Sequence, residues 1–78
     1  MNKNRLFWGS RRGMLELDLI LMSFIDNVYP TLDAKDQLRY QQLLKEDDQD
    51  LFTWLVHRED PRDSDLLMIV TLIRDNTK

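Results

Sequence analysis

Cysteine is absent from this 78-residue chain, which excludes a disulfide framework, a thiolate zinc site and a cysteine nucleophile. Glycine and proline occur only twice each. Gly9 and Gly13 fit neither a dinucleotide fingerprint nor a Walker loop, and no Gly- or Pro-rich tract separates two domains. Long apolar runs are missing as well. The longest stretch without a charged residue is the eight residues from Leu66 to Ile73, whereas a membrane-spanning helix needs about 20. No apolar run follows the first basic residues, so neither a span nor a secretory signal is expected, and the expected location is the cytoplasm. The single histidine, His57, has no second histidine or cysteine with which to complete a metal site, and a hydrolytic triad on Ser10 or Ser23 could use only that one residue. A fold of this size is worth roughly 4–12 kcal/mol, which leaves little margin for a deep substrate pocket. An enzyme is not expected.

Charge is plentiful and unevenly placed. Residues 1–12 carry Lys3, Arg5, Arg11 and Arg12 without an acid, whereas residues 13–78 carry seven bases against fourteen acids. A basic head of +4 thus precedes an acidic body of −7, for a net charge of −3. Such a body opposes the counterion release that drives nucleic-acid binding, so no nucleic-acid partner is expected. The acidic run Glu46, Asp47, Asp48, Asp50 lacks the glycine and the terminal glutamate of an EF-hand loop and reads as helix capping.

Hydrophobic period predicts helices throughout. Met14, Leu17, Leu21, Phe24 and Val28 follow 3-4-3-4 spacing, a single stripe at about 100° per residue, with Glu16, Ser23 and Asn27 nearly opposite. Asp33 is placed to cap a second segment running to Lys45, in which Leu38, Tyr40, Leu43 and Leu44 supply the apolar contacts. Asp47 and Asp48 are placed to cap a third, built on Leu51, Trp54 and Leu55. Asp60 before Pro61 predicts the cap of a fourth, which carries Leu66, Ile69, Val70 and Ile73 and gives way to a polar tail at Arg74. Met14, Met22 and Met68 read as core filler. With a short helix around Arg5 to Ser10, the expectation is an all-α, small single-domain bundle of about five helices. Residues 1–78 then form one unit, monomeric, with the basic segment 1–12 leading into the bundle.

The segment from Trp8 to Glu16 is not absorbed by that core. Arg12 and Glu16, at i and i+4, either pair with each other on an exposed face or form a docking surface, with Arg11 beside them and Trp8 as an aromatic anchor. On either reading Arg12→Ala and Glu16→Ala should each change stability by less than about 1 kcal/mol. Gly13 either turns the chain at positive φ or gives another backbone room to approach, the second being favoured.

The string Arg11-Arg12-Gly13-Met14-Leu15-Glu16-Leu17-Asp18 contains the RGxxE motif and resembles the flavinylation factors of succinate dehydrogenase and fumarate reductase, the FAD assembly factor family. A second block, Asp48-Gln49-Asp50-Leu51-Phe52-Thr53-Trp54-Leu55, is similar to the family's D-x-D-L-F-x-W-L segment, and Tyr29 stands where an aromatic is common. The resemblance spans residues 5–74. It implies a five-helix assembly chaperone that binds the flavoprotein subunit of succinate dehydrogenase, and of fumarate reductase, and promotes its covalent attachment to FAD. FAD would then be the client's cofactor, with none bound stably by the factor itself, and Arg12, Gly13 and Glu16 would contact the client. The alternative is an antitoxin-like or regulatory module that uses the same surface on an unrelated partner.

Overall fold

The structure, a computed structural model, describes residues 3–77, with side chains from Arg5 onward, so the basic side chain of Lys3 and the terminal Lys78 lie outside the described residues. Five helices run in order: α1 Lys3–Ser10, α2 Leu15–Asn27, α3 Ala34–Leu43, α4 Asp48–Leu55 and α5 Ser64–Asn76, with a 3-10 turn over Tyr29–Thr31. Among the described residues there is no strand. The all-α expectation holds.

The central element is α2, which packs against α1, α4 and α5, while α3 lies on α5. Leu17, Leu21 and Phe24 of the expected stripe are fully buried, Ile25 joins them, and Met14 and Val28 close its ends half-buried. Opposite them pack Tyr40 and Leu43 of α3, Leu51 and Leu55 of α4, and Ile69, Val70 and Ile73 of α5. Trp54 is half-buried against this core, and Leu6 attaches α1 to it. The Tyr40 ring stacks on Phe24 at 5.3 Å and receives Tyr29 edge-on at 5.4 Å.

Caps follow the expectation at one helix and depart from it at two. Asp33 accepts the Asp36 N–H at 2.9 Å, as its position before α3 required. Asp47 occupies the cap position of α4, but its side chain makes no capping hydrogen bond. Asp60 does not cap α5. That role falls to Asp63, which accepts the N–H groups of Asp65 and Leu66 at 2.9 and 3.0 Å. Asp60 is taken instead by Arg74 at 2.8 Å, while Pro61 is buried, so the chain continues past the proline before it coils. The polar tail also begins later than expected, because Arg74 and Asp75 are helical.

Two expected core residues are on the surface. Leu38 and Met68 are 55% and 51% exposed. At about 100° per residue Leu38 falls on the side of α3 away from Tyr40 and Leu43, and Met68 on the side of α5 away from Ile69, Val70 and Ile73. Leu38 lines an open groove of about 500 Å³ with Arg39, Lys45 and Leu66. Arg39 bridges Asp36 and Asp65 at 2.8 and 3.0 Å, fastening α3 to α5.

Candidate functional site

The RGxxE segment forms the turn between α1 and α2, and a single carboxylate organises it. Asp18, one turn into α2, accepts the backbone N–H of Arg12 on Oδ1 at 2.6 Å and that of Gly13 on Oδ2 at 3.2 Å. Its Oδ2 also lies 3.5 Å from Arg11 Nε. The side chain is 13% exposed. An acid here compensates the positive end of the α2 dipole as well as satisfying the two amides. Met14, at the cap position of α2, has no side chain able to do so.

Gly13 has φ +79°, and a Cβ added there would meet nothing within 4 Å. The turn reading therefore carries the local geometry, since only glycine adopts this region without cost. The open space also leaves the glycine face accessible. Both functions expected of Gly13 remain compatible, but the favoured one is not what fixes the residue type locally.

Arg12 does not pair with Glu16. Its side chain, 15% exposed, turns inward to the corner between α3 and α4, where Nη2 donates to the Leu44 carbonyl and Nη1 lies 3.3 Å from Asp48 Oδ1. Among the described residues Nε is buried without a hydrogen-bond partner. Leu44 follows the last residue of α3, so the guanidinium sits at the negative end of that helix, and Asp48 opens α4. Arg12 is thus a bracket joining the motif to the bundle rather than an exposed contact.

Behind the turn lies a buried polar pair. Ser10, fully buried, donates its hydroxyl to the Leu6 carbonyl at 2.8 Å, so the 2.7 Å contact with Tyr40 uses the tyrosine as donor. This fastens the end of α1 to α3. Burial pushes the Tyr40 phenol well above its ordinary value, against the opposing effect of the nearby Arg12 charge. Tyr40→Phe should cost about 1 kcal/mol in urea unfolding, because Ser10 keeps one of its partners. A pH signature accompanies it. Unfolded Tyr40 ionises near pH 10 while the folded residue stays protonated, so above about pH 10 the unfolded state binds fewer protons and stability falls. The phenylalanine variant should lose that part of the alkaline decline.

The outward side of the turn is exposed and partly apolar. Trp8 is 69% exposed, in edge contact with Phe7 at 5.4 Å, and Glu16 is exposed on α2. Leu15 and Leu19, 77% and 63% exposed, occupy the face of α2 opposite the core. Arg11 is 51% exposed. Trp8, Arg11, Gly13 and Glu16 are therefore accessible around one turn, while Arg12 holds that turn from beneath. Sequence reasoning gave no role at this turn to Asp18, Leu15 or Leu19, and it read Asp48 as a helix cap rather than as the partner of Arg12. The leucines were detectable, since an i, i+4 apolar pair on the polar side of a helical wheel needs an explanation.

His57 lies on the loop after α4 with its ring 5.0 Å from that of Phe52. Among the described residues no group of three or more histidines and acids could hold a metal ion, and no helix is long and apolar enough to cross a membrane. What the arrangement offers is an exposed surface of mixed apolar and charged groups.

Residues 4–77 match a family model described as flavinator of succinate dehydrogenase. The chain is 51% identical over 74 residues to the FAD assembly factor SdhE of Pseudomonas aeruginosa, covering 95% of this chain and 88% of that protein. It is 48% identical over 75 residues to the factor of the same name from Pseudomonas putida, covering 96% and 89%. Against that of Pectobacterium atrosepticum the identity is 42% over 77 residues, covering 99% and 88%.

Proposed function

The chain belongs to the family of flavinators of succinate dehydrogenase, and from that premise we propose that it binds the flavoprotein subunit of succinate dehydrogenase, and of fumarate reductase, as a cytoplasmic monomer. There it promotes covalent attachment of FAD to a histidine of the client. The observation that carries this reading is the accessible surface around the Gly13 turn, formed by Trp8, Arg11, Gly13, Leu15, Glu16 and Leu19. Such a mixture of aromatic and aliphatic anchors with charged neighbours suits a protein partner. It suits a flavin poorly. Enclosing an isoalloxazine ring calls for a concave apolar pocket, and Trp8 and Leu15 stand outward from the bundle, so FAD is assigned to the client.

In this mechanism the factor acts by binding. Its surface holds the client in the conformation that aligns flavin and acceptor histidine, and such alignment is itself a source of rate that needs no catalytic group on the factor. Arg12 serves from beneath, through the fold. The experiment is to measure covalent flavin in the client by in-gel fluorescence after denaturation, with and without this protein. Glu16→Ala should reduce the covalent flavin about tenfold or more while shifting stability by less than about 0.5 kcal/mol. Normal flavinylation without the protein, together with recovery of an unrelated partner in pull-downs, would favour the antitoxin-like alternative.

A further inference from the structure

We propose that Asp18 is a positioning residue for the docking surface: by accepting the N–H groups of both Arg12 and Gly13 it fixes the orientation in which Gly13 and Glu16 meet the flavoprotein. This rests on the functional reading above and adds to it a residue outside the RGxxE motif.

Two successive backbone amides converge on the two oxygens of one carboxylate, at 2.6 and 3.2 Å. Convergent amides of this kind make an anion-binding concavity, and here the anion comes from the chain itself. The carboxylate stands on a rigid support. Leu17 and Leu21, on either side of Asp18 along α2, are fully buried, so the helix cannot rotate without opening the core. The turn it holds would otherwise be the most adaptable part of the surface, because Gly13 lies at φ +79° with open space around it. Arg11, 3.5 Å from Oδ2, is drawn to the same group. Asp18 thus sets the direction of the glycine face relative to Glu16, two residues earlier on the same helix. A contact surface built on a turn demands such support, since small misplacements weaken binding sharply.

The test uses the full chain and the purified FAD-loaded flavoprotein subunit of succinate dehydrogenase. Asp18→Asn keeps the size of the side chain but can accept only one of the two amides, because its NH2 group opposes the other. In a 15N-correlated NMR spectrum the changes should concentrate at Arg12, Gly13 and their neighbours, while the core resonances stay in place. Binding measured by calorimetry should weaken about tenfold. A merely structural role is separated by a double-mutant cycle: if Asp18 acts by presenting Glu16, adding Asp18→Asn to Glu16→Ala should weaken binding little beyond Glu16→Ala alone. Should the asparagine variant fail to fold, Asp18→Glu retains the charge on a better helix former, moves the carboxylate by one methylene, and is expected to perturb the same amides and weaken binding. Binding within about twofold of wild type by a folded variant, or full additivity with Glu16→Ala, overturns the proposal. If Glu16→Ala itself binds normally, it is the underlying surface reading that fails.

Discussion

Replacing Arg12 by alanine is expected to lower the stability of the protein by about 2–3 kcal/mol. The guanidinium donates to the Leu44 carbonyl and faces Asp48 at 3.3 Å, with its side chain only 15% exposed. Truncation removes a charge-assisted hydrogen bond, the ion pair and the packing of the aliphatic stem at once, and leaves the end of α3 without its cation. In a fold worth roughly 4–12 kcal/mol this is a large fraction. The value exceeds what an exposed i, i+4 pair with Glu16 would predict, because that pair does not form. Urea unfolding checks it: the midpoint should fall with the slope unchanged. Arg12→Lys should recover only part of the loss, since an ammonium cannot fork between a carbonyl and a carboxylate. A midpoint equal to wild type for the alanine variant would mean that the guanidinium is a solvated surface group.

Substitution of Gly13 is expected to separate stability from binding. Both Gly13→Ala and Gly13→Arg should lose about 1–2 kcal/mol, because the cost lies in the backbone at φ +79° and not in a clash at Cβ. Asparagine, which tolerates the left-handed region, should lose less. Binding follows a different order. Alanine should weaken the client complex in a graded way, whereas arginine extends from the turn into the contact and should abolish it. Calorimetry against the flavoprotein, alongside urea unfolding of each variant, reads both quantities. An alanine variant as stable as wild type would remove the turn from the explanation. An arginine variant that bound and flavinylated normally would remove the contact.

What the sequence disclosed was whatever depended on local period or local capping. The stripe of Leu17, Leu21 and Phe24 needed only the 3-4 spacing, and Asp33 announced itself by position before a polar first turn. Leu38 and Met68 were misjudged for being apolar when their angles on the helix already placed them outward. Asp60 and Asp63 illustrate a different limit. Both are aspartates ahead of the same helix, and the choice between them is made by Arg74, which holds Asp60 from the far end of α5. No window of a few residues contains that information. The site divides in the same way. Gly13, Glu16 and Trp8 could be singled out from their neighbourhood, and the exposure of all three agrees with a surface role. Arg12 could not be assigned its partners, because Leu44 and Asp48 lie 32 and 36 residues away.

The two inward arginines share a feature that bears on how the molecule comes apart. Arg12 reaches the carbonyl just past α3, and Arg74 donates to Trp54 O near the end of α4 at 2.9 Å, 20 residues from its own position. Neither α3 nor α4 has a basic residue in its last turn, so each is completed electrostatically by an arginine from elsewhere in the chain. With ten and eight residues, both are also shorter than the roughly 12–15 at which isolated helices become even marginal in water. Excised as peptides they would be coils. A half-assembled molecule that released α1 and its linker, or the end of α5, would strip the cation from the end of α3 or α4. Partly folded species are thereby penalised, and the route from native to unfolded should run through a single concerted transition.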